Sequence, residues 1–105
     1  MREILVNFKT SILAKEKGFN ENCQSKYICL PFSIENPCYN PSQSLLQKWL
    51  REKYKIDIQI FGSIGNYNVR SFIEKDDFLG IYKYGFKIYE EALEHGLQEA
   101  LKLIK

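Results

Sequence analysis

The sequence predicts an α+β domain: a two-layer sandwich of a three-stranded antiparallel sheet covered by helices, in the order α-(β)-α-β-β-β-α. Three observations predict it. Apolar residues recur at helical spacing in two long stretches, one around Leu46 and one around Leu97. Between them Ile56, Ile58 and Ile60 alternate with Lys55, Asp57 and Gln59, the period of a half-buried strand. Short, turn-rich gaps separate that strand from two further ones, so the three pair as antiparallel hairpins. Such a sheet cannot bury its apolar face alone, and the two flanking helices must cover it.

The elements follow in order. Glu3–Lys17 places Ile4, Leu5, Phe8, Ile12 and Leu13 at helical spacing. Lys15 and Lys17 suit its C-terminal end, and Gly18 supplies a left-handed stop. Lys26–Leu30 reads as a short strand. Pro31, Pro37 and Pro41 make the stretch that follows extended or turn-like. At Asn40 the pattern changes: Asn40 reads as an N-cap, Pro41 as the first helical residue and Gln43 as the reciprocal partner of a capping box. Leu45, Leu46, Trp49 and Leu50 form the apolar stripe of this helix, which runs to about Lys53. Strands are then expected at Ile56–Ile60, Tyr67–Glu74 and Phe78–Tyr84, with turns at Gly62–Asn66 and Asp76–Asp77. A last helix runs from about Tyr89 to Ile104, with Glu90, Glu91 and Glu94 where carboxylates suit the dipole. Gly96 inside it implies a close approach to another element, because a helical glycine otherwise costs about 1 kcal/mol.

Composition sets the class. The chain has 105 residues, 15 Lys plus Arg, 13 Asp plus Glu and a formal net charge of +2. This is enough chain for one core without staples, and one domain over residues 1–105 is expected: an N-terminal helix and irregular segment to residue 40, then the α-β-β-β-α unit. No stretch has the length of a membrane span, and Asn7, Lys9, Lys15 and Lys17 interrupt any signal-peptide core. Three cysteines (Cys23, Cys29, Cys38), an odd number, fit free thiols in a reducing cytoplasm, although a Cys23–Cys38 disulfide is geometrically open. Their gaps of five and eight residues do not suit zinc, and His95 is the only histidine. No metal and no cofactor are expected.

Two motifs, PSQSLLQKWLREKYKIDI (Pro41–Ile58) and YEEALEHGLQEALKLI (Tyr89–Ile104), together with LAKEKGF (Leu13–Phe19), resemble a group of small uncharacterised proteins of Bacteroidetes phages and prophages. The three blocks cover about 40% of the chain. The resemblance implies an intracellular protein of phage or mobile-element origin in the bacterial host cytoplasm, and carries no catalytic residue with it. The order α-β-β-β-α from Pro41 to Lys105 also looks like a double-stranded-RNA-binding domain. Those domains hold phosphates with a lysine cluster at the start of the last helix. Here Glu90, Glu91 and Glu94 stand there, and the Gly62–Asn66 loop lacks the histidine such loops often carry.

The residues bear on three classes of function. The chain's one basic concentration, Lys48, Arg51, Lys53 and Lys55, reads either as a phosphate-contacting patch or as cations near a helix C-terminus. Its surroundings are modest: the balance is +3 over residues 41–75 and −2 over residues 76–105. Catalysis would need a cysteine, Cys38 for instance, to meet His95, and no phosphate loop, dinucleotide fingerprint or nucleophile elbow is present. The paired carboxylates Asp76/Asp77 and Glu90/Glu91 suit turn and helix-start roles. Tyr27, Phe32, Tyr39, Tyr54, Tyr67, Tyr82, Tyr84 and Tyr89 are too many for so small a core, and some are expected on the open sheet face. The preferred expectation is a non-enzymatic accessory protein that meets a protein partner, or a second copy of itself, through that aromatic face. The alternative is a weak nucleic-acid-binding module, and no membrane partner is expected.

Overall fold

In the computed structural model, which describes residues 4–28, 30–73 and 76–104 and only the backbone of 76–84, eight elements succeed one another. They are α1 (Phe8–Glu16), β1 (Lys26–Tyr27), β2 (Cys38–Tyr39), α2 (Gln43–Tyr54), β3 (Ile56–Ser63), β4 (Asn66–Ile73), β5 (Asp76–Phe86) and α3 (Tyr89–Lys102). The architecture is the expected α+β one, a three-stranded antiparallel sheet packed against helices. No helix among the described residues is long and apolar enough to cross a membrane.

The sheet has the order β3-β4-β5, with Ile56 opposite Ile73 and Ser63 opposite Asn66. Ile64 and Gly65 make the turn between β3 and β4, where Gly65 takes a positive φ of +83° that glycine adopts without strain. The third strand begins earlier than expected. Asp76 pairs with Ile73 and belongs to β5, so Asp76–Asp77 is strand and not the expected turn, while the expected strand end at Glu74 lies outside the described residues.

One sheet face supplies Ile56, Ile58 and Val69 to the core, where Leu46, Leu50, Leu97 and Leu101 of α2 and α3 meet them. α3 lies across the sheet as the central helix. Its Gly96 is the closest approach: a Cβ built there would stand 2.7 Å from Val69 Cγ2 and 2.8 Å from Ile58 Cγ2. The Ser71 hydroxyl donates to the Gly96 carbonyl at 2.8 Å across the same gap. The expectation from sequence was right about the reason for this glycine.

The N-terminal third departs from its reading. α1 starts at Phe8, not Glu3, and Asn7 is its N-cap, accepting from Thr10 N at 2.9 Å. Residues before it run extended beside the start of α2: Val6 N donates to Pro41 O at 3.0 Å and Gln43 N to Ile4 O at 2.8 Å. The buried side of α1 is Thr10, Ser11 and Ala14, while Ile4, Leu5 and Phe8 of the expected stripe are exposed. The cap of α2 is Ser42, whose hydroxyl accepts from Leu45 N at 3.2 Å. Asn40 has another task. Buried, it donates to Val6 O at 2.7 Å and Ser11 Oγ at 2.8 Å, and accepts from Ser25 Oγ at 3.0 Å. It thereby ties the extended N-terminal segment, α1 and the β1–β2 ladder together.

Candidate interaction surface

Charge comes first, because it decides between partners. Lys48, Arg51, Lys53 and Lys55 all stay exposed. They do not share a face. At 3.6 residues per turn, Lys48 and Arg51 stand about 60° apart, and Lys53 about 160° from Arg51. Lys48 pairs with Glu52 at 3.9 Å. Lys53 lies over the Trp49 ring, 5.8 Å from its centroid. Lys55 occupies the left-handed C-cap of α2, at φ 58°. Lys48 and Lys53 do flank one shallow pocket of about 140 Å³, but Glu21 and Glu52 line it with them and cancel its charge.

The cysteines and His95 are held in different parts of the fold. Cys38 is fully buried on β2, which packs against α1. Burial pushes its thiol up, and the nearby Lys15 ammonium pulls it back only in part. Cys23 is raised as well, by burial first and the charge of Glu21 second. Both are free thiols, so the Cys23–Cys38 disulfide is not formed, and Cys29 lies outside the described residues. A raised thiol holds little thiolate at neutral pH and makes a poor nucleophile. His95 on α3 packs on the Phe86 ring at 5.4 Å and stands 3.9 Å from Glu99. Among the described residues no three His, Cys, Asp or Glu side chains converge as a metal site would require.

Of the tyrosines whose side chains are described, Tyr27, Tyr54 and Tyr67 pack elsewhere than the open sheet face. Tyr54 packs edge-on to Trp49 and donates to Lys17 O at 3.2 Å. Tyr67 sits on the helix side, edge-on to Tyr89. Tyr27 stacks on Phe8, and Phe32 lies under Lys15. The side chains of Tyr82 and Tyr84 lie outside the described residues. By register, the sheet face away from the helices carries Asp57, Gln59, Asn68 and Arg70 with Phe61 and Phe72. Phe72 is 7% exposed beneath the Arg70 guanidinium, 4.2 Å from the ring centroid, and offers a partner little.

Exposed apolar surface gathers instead on the N-terminal third. Of ten large apolar side chains exposed among the described residues, six are Ile4, Leu5, Phe8, Ile28, Leu30 and Ile34. Phe8 of α1 and Tyr27 of β1 join this surface, with ring centroids 4.6 Å apart. Beside it lies a groove of about 300 Å³, with Leu5, Pro41 and Leu45 as its apolar wall and Gln24, Ser25 and Ser42 as its polar one.

Polar contacts make the surface rigid. Glu94 of α3 accepts from Asn7 N at 3.0 Å, from the Thr10 hydroxyl, and from Gln43 Nε2 at 3.0 Å. Gln98 Nε2 donates to Thr10 Oγ1 at 3.0 Å. α1 is therefore tied to α3 by hydrogen bonds in addition to Leu13 and Ala14, which join the apolar core. Sequence reasoning missed this surface because it assigned Ile4, Leu5 and Phe8 to a buried stripe. The available signal was Ile34, an apolar residue in a proline-punctuated stretch outside every expected strand and helix.

Comparisons with protein-family models, with curated proteins and with solved structures return no match.

Proposed function

We propose that this protein is an intracellular accessory protein, of the kind phages and prophages encode, that acts through protein–protein contacts and without catalysis. Its docking surface is the apolar side of the N-terminal third. The observation that carries the reading is the concentration of exposed Ile4, Leu5, Phe8, Ile28, Leu30 and Ile34 on one rigidly held module. A concentration of exposed apolar side chains of this kind is the usual mark of an interface. The dispersal of Lys48, Arg51, Lys53 and Lys55 over different faces of α2 gives no phosphate-tracking stripe, so the nucleic-acid reading gains no support.

The test is site-specific crosslinking in the cells that produce the protein. A photoreactive phenylalanine analogue replaces Phe8 in one variant and Gln59, on the open sheet face, in another. The reading expects a discrete protein adduct from position 8, competed away by excess native chain and not by a Phe8→Asp/Ile28→Asp chain. Equal adducts from both positions, or adducts that no competitor removes, refute it. An RNA or DNA adduct would replace it with the nucleic-acid reading.

A further inference from the structure

We propose that Gln47 and Asp57 are edge guards: they close the free edge of β3 at Ile58 and keep β3 of one copy from pairing with β3 of another. The proposal concerns the sheet alone and is independent of the interaction reading above.

β3 is an outer strand of its sheet, with β4 on one side only. In an antiparallel ladder alternate residues bond to the neighbouring strand, and the residues between them turn their N–H and C=O groups the other way. The partners of Ile58 identify the outward set. Ile58 N donates to Asp57 Oδ1 at 2.8 Å, and Ile58 O accepts from Gln47 Nε2 of α2 at 3.4 Å. Ile56, Ile58, Ile60 and Gly62 therefore face outward. Such a row of main-chain groups is a template for another extended chain. A second copy carries the identical row, and a twofold axis would set the two strands antiparallel.

The strand invites this pairing by composition. Its first six residues, IDIQIF, hold Ile56, Ile58, Ile60 and Phe61, all strong strand formers, and Asp57 is the one charged residue of β3. High strand propensity with low charge is the signature of a self-pairing segment. Phe61, Gly62 and Ser63 at its far end are exposed.

The guards sit where they matter. Ile56 opens the strand directly after the left-handed C-cap of α2 at Lys55. Gly62, at φ +114°, departs from the extended backbone of a regular ladder. Ile58 and Ile60 are the outward residues in the regular middle of the strand, and Ile58 already has both its groups occupied. A strand arriving there must displace the Gln47 amide and take the half-buried Asp57 carboxylate further from water.

Sedimentation velocity of the purified full chain over a concentration series compares the native protein with Gln47→Ala/Asp57→Ala and with Gln47→Met. A photoreactive phenylalanine analogue in place of Phe61 locates the contact by mass spectrometry. The double variant should dimerise about tenfold more tightly than the native chain, with crosslinks from position 61 into β3 of the second copy. Gln47→Met keeps the length of the side chain and removes only its amide. It should tighten association by about threefold, and it carries the test if the double variant melts below the working temperature. Adding Phe61→Lys to the double variant should restore native behaviour, since a lysine on an edge strand is itself a guard. Folded variants that associate no more tightly than the native chain overturn the proposal. So do crosslinks from position 61 that fall outside β3, or crosslinks into β3 that the native chain forms equally well.

Discussion

Gly96→Ala is the sharpest test of the helix–sheet interface. Alanine would favour α3 by about 1 kcal/mol through helix propensity alone, so an exposed glycine here would predict stabilisation. The structure predicts the reverse. The added methyl would stand 2.7 Å from Val69 Cγ2 and 2.8 Å from Ile58 Cγ2. Both partners are β-branched, buried (1% and 5% exposed) and fixed on adjacent paired strands, so neither can swing aside. Overpacking of this kind costs about 1–3 kcal/mol. The Ser71–Gly96 hydrogen bond, 2.8 Å long, must stretch as α3 lifts, at a further cost of about 1 kcal/mol. The net loss is about 2 kcal/mol, or roughly 9 °C in Tm for a chain of this length. Differential scanning calorimetry of the single variant measures it. A Val69→Ala/Gly96→Ala double variant should lose less than the two single losses combined, because each change relieves the other. A Gly96→Ala chain that melts higher than the native one would refute the close approach, and with it the placement of α3 on the sheet.

Three further outcomes follow from the same geometry. Asn40→Ala should cost about 2–3 kcal/mol in urea denaturation, since it orphans the buried Val6 O and removes one hydrogen bond each from the Ser11 and Ser25 hydroxyls, whereas Ser42→Ala should cost only the ~1 kcal/mol of a lost cap; the opposite ranking would restore Asn40 as the cap. Glu94→Ala should release α1 from α3, so amide exchange across Phe8–Glu16 should speed up well before exchange in β3 and β4, and uniform acceleration would count against a local tie. Cys23 and Cys38 both titrate above the ordinary 9.0 in the folded chain, so the unfolded chain loses those protons first. Stability then falls as pH rises through about 9, and a Cys23→Ser/Cys38→Ala chain should show a shallower decline in urea midpoint between pH 8 and 10. Parallel declines would refute the shifts.

Much of the fold is written in local pattern. The alternation of Ile56, Ile58 and Ile60, the stripe of Leu46, Trp49 and Leu50, and the spacing of Leu93, Leu97 and Leu101 each fix an element, because one face of each must leave water. Gly96 is legible for the same reason: a helix-weakening residue amid good helix formers needs a neighbour too close for a side chain. The N-terminal third is harder to read. Ile4, Leu5, Phe8, Ile12 and Leu13 satisfy helical spacing, yet the chain uses Asn7 as a cap and buries Thr10, Ser11 and Ala14 instead. Periodicity reports where apolar residues fall, and it assumes that they are the ones buried.

The sequence by itself determined the α+β class, the helices before and after the sheet, and the antiparallel succession of strands. Each follows from residues near one another in the chain. Only the tertiary structure decided that Asn40 is a buried hub and not a cap, that Glu94 and Gln98 of α3 hold α1 by hydrogen bonds, and that six of the ten exposed large apolar side chains among the described residues lie on the N-terminal third. Those outcomes depend on partners 15 to 88 residues away, as Asn40–Ser25 and Gln98–Thr10 are. A buried amide or hydroxyl needs a partner wherever one is in reach, and reach is set by the packed fold and not by spacing along the chain.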